Sequence, residues 1–164
     1  MQNQSYQIYG VCDLNDIKTI ARETADKYQY GANRENLYKM LLETAIVETD
    51  AGNAYMDINR NYGRSIMQFD KVGYDEALRV RALKGNLDYQ KEVDLGYMSN
   101  ALQRNPRFAM YLARFFYLGK SKPIPDTLKD RANYWKIYYN SVYGAGTPEK
   151  YINLVKKHLG KDWK

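Results

Sequence analysis

The sequence predicts a mainly α-helical fold: one domain over residues 1–164, with an irregular or small β insert after its second helix. Three observations predict it. Apolar residues recur at three- and four-residue spacing along most of the chain. Gly, Asn, Asp and Pro punctuate the chain at intervals that suit short helix connections. The one long stretch without helical period is 50–66, rich in Gly, Asn and Asp.

Residues about 14–28 place Ile17, Ile20, Ala21, Thr24 and Tyr28 on one stripe of an amphipathic helix. A second helix, about 34–49, follows Gly31 and Asn33. It aligns Leu37, Leu41, Thr44 and Glu48, and Gly52 suits its C-terminal cap. Helices are predicted again over about 74–84, 88–104 and 106–118. Pro106 suits the first turn of the last of these. FAMYLARFFYLG is apolar nearly all round, which predicts a central buried helix. After the SKPIPD loop, Asp126 is placed to cap a helix running to about 140. YGAG at 143–146 reads as a turn. Thr147-Pro148-Glu149 reads as the start of a final helix and Gly160 as its stop.

Composition narrows the function classes. Hydrophobic residues make up 45% and charged residues 27%, which suits one folded core and excludes a disordered chain. Lys and Arg number 25 against 19 Asp and Glu, a net +6 that favours an anionic partner: nucleic acid, a membrane surface or an acidic polymer. Tyrosine is over-represented, 17 against 4 Phe and 2 Trp. Most are expected to replace Phe in the core, and a few to offer the flat face and hydroxyl that bind sugars or bases. A single cysteine, Cys12, excludes an internal disulfide and a cysteine zinc site. A single histidine, His158, excludes a multi-histidine metal centre; its Lys-Lys-His setting suggests the solvated end of a helix. No cofactor and no metal are expected. No apolar run approaches the 18 residues of a membrane span. The first residues, MQNQSYQIYG, show neither the basic nor the apolar region of a signal peptide.

The residue that suggests chemistry is Glu48. It ends a core-facing stripe beside a glycine-rich loop, a position that strips water from a carboxylate and raises its pKa. A carboxylic acid still protonated near neutrality can donate to a glycosidic oxygen. Glu43, four residues after Lys39 and on another face, reads instead as half of a solvated ion pair. In Gly63-Arg64-Ser65-Ile66-Met67-Gln68-Phe69-Asp70, one amide sits in an apolar turn and needs polar partners, which a saccharide's hydroxyl and N-acetyl groups would supply. Trp135 to Asn140 leads into Gly144-Ala145-Gly146, again joining aromatics, an amide and a close-approach glycine loop.

Three segments in this order, ETAIVETDAG (43–52), GRSIMQFD (63–70) and YYNSVYGAGTPEKYI (138–152), resemble the motifs of the lysozyme-like superfamily, in particular soluble lytic transglycosylases and goose-type lysozymes. The likeness spans about residues 35–152. Thr49 stands for the usual serine after the catalytic glutamate, Ser65 for a glycine, and the glycines after Tyr139-Asn140 are displaced to 144 and 146. The resemblance implies cleavage of the β-1,4 bond between N-acetylmuramic acid and N-acetylglucosamine in peptidoglycan, by a transglycosylase or a muramidase, with Glu48 as general acid. It implies Asp70 or Asp57 as the second carboxylate of a hydrolase, though each also suits an ordinary turn. Gln68 and the Met67 backbone would hold an N-acetyl sugar, with Ser65 and Asn140 in the same loops. Tyr139 would orient Glu48 or line the cleft, and Tyr62 would be a stacking platform or a loop anchor. The expected partner is the glycan strand, bound by a monomer, with no nucleic acid. With no signal peptide, the expectation is a phage endolysin released to the wall through a holin, or a virion-associated lysin. The competing readings are a catalytically inactive lysozyme-like binding protein and a basic helical nucleic-acid-binding module. Against the latter, Lys and Arg form no one-sided stripe; the densest cluster is Lys156, Lys157, Lys161 and Lys164.

Overall fold

The computed structural model describes residues 8–54, 63–141 and 144–164. Among these, eight α-helices account for most of the chain. They are α1 (Leu14–Lys27), α2 (Arg34–Thr49), α3 (Lys71–Leu83), α4 (Gln90–Leu95), α5 (Asn100–Arg104), α6 (Pro106–Leu118), α7 (Leu128–Trp135) and α8 (Pro148–Leu159). Helix α7 passes directly into a π-helical turn, Lys136–Asn140. No helix among the described residues is long and apolar enough to cross a membrane.

Helix α6 is the axis. Every residue from Pro106 to Tyr117 except Arg107 is buried, as the largely apolar run requires, and α1, α2, α3 and α5 pack around it. Asn105 accepts from the Phe108 amide and Pro106 occupies the first turn, where its missing N–H costs nothing. Helix α2 lies against α1, α6 and α8 and keeps Leu37, Leu41 and Thr44 fully buried.

The predicted bounds of α2 are those observed, but its cap differs, and three other predicted helix starts or lengths change. The left-handed turn that ends α2 starts at Asp50 (φ 49°), two residues before Gly52, and continues through Ala51 (φ 56°). Thr49 holds it: its buried hydroxyl donates to the Ala45 carbonyl and accepts from the Gly52 amide. Helix α3 begins at Lys71 because the Asp70 carboxylate accepts from the Gly73 amide at 2.6 Å. The single helix expected over 88–104 is two, because Gly96 (φ 84°) stops the first and Ser99 caps the second. Thr127, not Asp126, caps α7; the Asp126 carboxylate accepts instead from the Asn36 side chain. Within the insert, the described β structure is one antiparallel bridge, Arg64 to Phe69, closing the turn between them.

Two polar predictions are corrected. Glu43 is fully buried and not solvated. Its two oxygens accept from Arg131 (both 2.8 Å), Tyr151 Oη (2.8 Å) and Trp163 Nε1 (2.7 Å). Arg131 in turn donates to the Asp126 carbonyl at 2.6 Å. This satisfied ion pair ties α2 to α7, α8 and the C-terminal segment. His158 is mostly covered rather than at a solvated end. Its Nε2 lies 2.6 Å from Asp50 Oδ1, which Lys157 also approaches at 3.1 Å. Burial pushes the Asp50 carboxyl up, but those two partners hold it below the usual range.

Candidate active site

The end of α2, the 63–70 turn, the start of α3, the end of α6 and the π turn enclose an open cleft of about 520 Å³. Five sequence-predicted residues line it: Glu48, Gln68, Asp70, Tyr139 and Asn140. Asp57 and Tyr62 lie outside the described residues.

Glu48 occupies the last turn of α2, half-buried, where the Leu37–Leu41–Thr44 stripe reaches the cleft. Its Oε1 accepts a 2.9 Å hydrogen bond from Nε1 of Trp135, itself buried. Burial pushes the carboxyl up and the indole donor draws it part of the way back, so it titrates at about 7. Around it, Tyr139 stacks on Tyr117 at 5.6 Å between ring centroids and meets Phe116 edge-on at 5.1 Å. Burial first, then the proximity of Glu48, raises both tyrosine hydroxyls well above their ordinary value. The two hydroxyls are satisfied by neutral partners, Thr44 for Tyr117 and the Met67 carbonyl for Tyr139. The wall behind Glu48 is therefore aromatic and uncharged.

The 63–70 turn faces this carboxyl. Ser65 (φ 70°) and Gln68 (φ 48°) both adopt left-handed backbone, a conformation that costs most residues about 1 kcal/mol or more. Three internal bonds compensate: the Ser65 amide donates to Gln103 Oε1, its Oγ accepts from the Met67 amide, and its carbonyl accepts from Gln68 Nε2. Gln68 Nε2 is thereby fixed and Oε1 is left buried, with no hydrogen-bond partner among the described residues. A buried amide oxygen without a donor is costly. Met67 and Ser65 lie behind the cleft rather than on its wall. Met67 is fully buried, its amide and carbonyl both used within the protein. Asp70 is exposed on the wall, with Oδ1 committed to capping α3.

The third wall depends on two glycines. A Cβ at Gly144 would lie 2.3 Å from the Asn140 carbonyl oxygen, and one at Gly146 2.3 Å from Trp135 Cη2. Lys136 Nζ joins this loop to the π turn, donating to Asn140 Oδ1 (2.9 Å) and the Gly144 carbonyl (2.7 Å). The π turn rotates Tyr138, Tyr139 and Asn140 into the cleft.

Sequence reasoning missed Lys120, Glu76 and Phe116 on the cleft wall and the role of Trp135. Lys120 lies 3.7 Å above the Phe116 ring, and burial lowers its pKa. Glu76 is paired with Arg79 at 2.9 Å. The Phe116–Lys120 and Glu76–Arg79 pairs are local, but that these residues and Trp135 share one cleft with Glu48 is set only by the fold. Among the described residues, no group of three or more His, Cys, Asp or Glu converges where a metal would sit. No family model, curated protein or solved structure matches the chain.

Proposed function

We propose that the protein cleaves the β-1,4 bond between N-acetylmuramic acid and N-acetylglucosamine in peptidoglycan, with Glu48 as the general acid. One observation carries the reading: a half-buried carboxyl with a pKa of about 7 on the wall of an open cleft, held by an indole N–H and backed by aromatic rings. At neutral pH such a group is divided between its two forms, so it can both give and take a proton. Gln68 supports the reading by placing an amide side chain on the wall of the same cleft. Ser65 supports it too: it holds the left-handed backbone that glycine adopts, so a serine is accommodated where the resembled motif has glycine.

Protonated Glu48 gives its proton to the glycosidic oxygen, the C1–O bond breaks, and positive charge develops at C1. The resulting Glu48 carboxylate then takes the proton of an incoming hydroxyl as its oxygen bonds to C1. If the hydroxyl is the muramic acid's own 6-OH, the product is a 1,6-anhydro sugar. If it is water, the product has a reducing end, and Asp70 is the described carboxylate nearest in role to a water-positioning group.

Purified peptidoglycan sacculi provide the test. The parent protein is expected to release soluble muropeptides, and Glu48→Gln to slow release by about 10²–10⁴-fold. Mass spectrometry of the released ends separates anhydro from reducing products. Equal release by Glu48→Gln removes Glu48 from the acid role. A parent that pellets with sacculi yet releases nothing returns the inactive binding-protein reading.

A further inference from the structure

A second cavity, of about 510 Å³, is lined by residues of the 30–36 and 114–126 segments, Lys120 among them. Its size is within the range of small-ligand sites. Its floor is Arg114, from the central helix, which is 2% exposed. Arg114 Nε and one terminal nitrogen donate to the Tyr28 and Gln29 carbonyls, both at 2.6 Å. Among the described residues it makes no ion pair, unlike the equally buried Arg131 on Glu43. A buried guanidinium with no counter-charge is costly, and burial lowers its pKa to about 10. Lys120 and Lys122 line the same cavity against one carboxylate, Asp126, which is engaged with Asn36. The N-terminus of α2, at Asn33 and Asn36, adds its positive end. The remaining walls, Tyr30, Pro123, Ile124 and Pro125, are flat or apolar, as suits a short peptide better than a bare inorganic anion.

Lys120 also lines the Glu48 cleft, so the two cavities meet at this side chain. Resting on the peptidoglycan reading above, we infer that the Arg114 cavity binds a carboxylate of the peptide branch carried by the glycan strand while the strand lies across Glu48. Arg114 supplies the buried charge, Lys122 a second contact at the mouth, and Lys120 the link between branch and strand. The protein would then prefer strands that still carry peptide.

Binding to the full-length Glu48→Gln protein, which leaves the ligand intact, tests this by calorimetry. Three ligands are compared: a peptide-bearing disaccharide repeat, the same saccharide with its peptide removed by an amidase, and the peptide-bearing form with its carboxylates converted to amides. The peptide-bearing acid is expected to bind at least about tenfold more tightly than the other two, the value of one hydrogen bond to a charged group. Lys122→Ala, a change at an exposed residue, is expected to reduce that preference and leave the stripped saccharide's affinity unchanged. Arg114→Lys is expected to abolish the preference, with circular dichroism as the check on folding. If it does not fold, Lys122→Ala and the amidated ligand still decide. Equal binding of acid, amide and stripped saccharide overturns the peptide site and leaves the glycan reading standing. Failure of all three ligands to bind overturns both.

Discussion

Replacing Glu48 by Gln should stabilise the protein, and by more at high pH than at low. The carboxyl titrates at about 7 in the folded protein against an ordinary value of 4.5. Below pH 4.5 it is protonated whether the chain is folded or unfolded and contributes no pH dependence. As pH rises, the unfolded chain ionises first, so the folded state loses relative stability until the folded carboxyl also ionises near pH 7. At 1.36 kcal/mol per unit, the full cost is about 3 kcal/mol above pH 7, of which about 2–3 kcal/mol accrues between pH 5 and pH 8. Glutamine is isosteric, keeps an acceptor for Trp135 Nε1 and carries no charge, so it removes the cost. A domain of this size shifts by about 2–4 °C per kcal/mol. The melting midpoint of Glu48→Gln relative to the parent should therefore be about 4–12 °C more favourable at pH 8 than at pH 5. Both proteins share every other titrating group, so the difference isolates this one. Scanning calorimetry at the two pH values reads it directly. An equal shift at both would refute a carboxyl held protonated by burial and would take the general-acid argument with it.

Arg131→Met leaves the Glu43 charge buried without its partner and should cost about 3–5 kcal/mol, read as a lower midpoint in urea. Adding Glu43→Met should recover much of that loss. Trp135→Phe removes the donor that stabilises ionised Glu48, so the carboxyl should titrate still higher. Carbon-13 NMR of the Glu48 carboxyl will show this, and a downward shift contradicts the geometry. Gly146→Ala places a methyl against the Trp135 ring and should destabilise the fold by about 1–3 kcal/mol while slowing peptidoglycan release; unchanged values mean that the loop does not bear on the indole.

Gly96 and Ser99 show why helix boundaries were only partly legible. Both signals stand in the sequence three residues apart, yet the apolar period runs across them, and period outweighs punctuation in a linear reading. Glu43 shows a sharper limit. Four residues from Lys39, it satisfies every local criterion for a solvated pair, whereas its partner Arg131 lies 88 positions away. The same holds for Glu48. Helical spacing put it at the end of a buried stripe, and that much the structure retains. Its indole donor, 87 positions distant, and the Lys120 that lines the same cleft arrive only through packing.

What the sequence determined by itself is local: which stretches are helical, that 106–118 lies at the centre, and that Glu48, Gln68 and the 144–146 glycines are candidates for one site. The helices and the central segment follow from spacing of three to four residues; the grouping of Glu48, Gln68 and the glycines is what the motif resemblance implies. Only the tertiary structure decided which carboxylate is neutralised and which is left to be protonated. Glu43 and Glu48 lie five residues apart on one helix, and the spacing that separates their faces does not tell which of them meets a counter-charge. The first faces an arginine, a tyrosine hydroxyl and an indole; the second faces one indole and a wall of rings. Charge compensation is set by what converges in space, and spacing along a single helix carries no record of it.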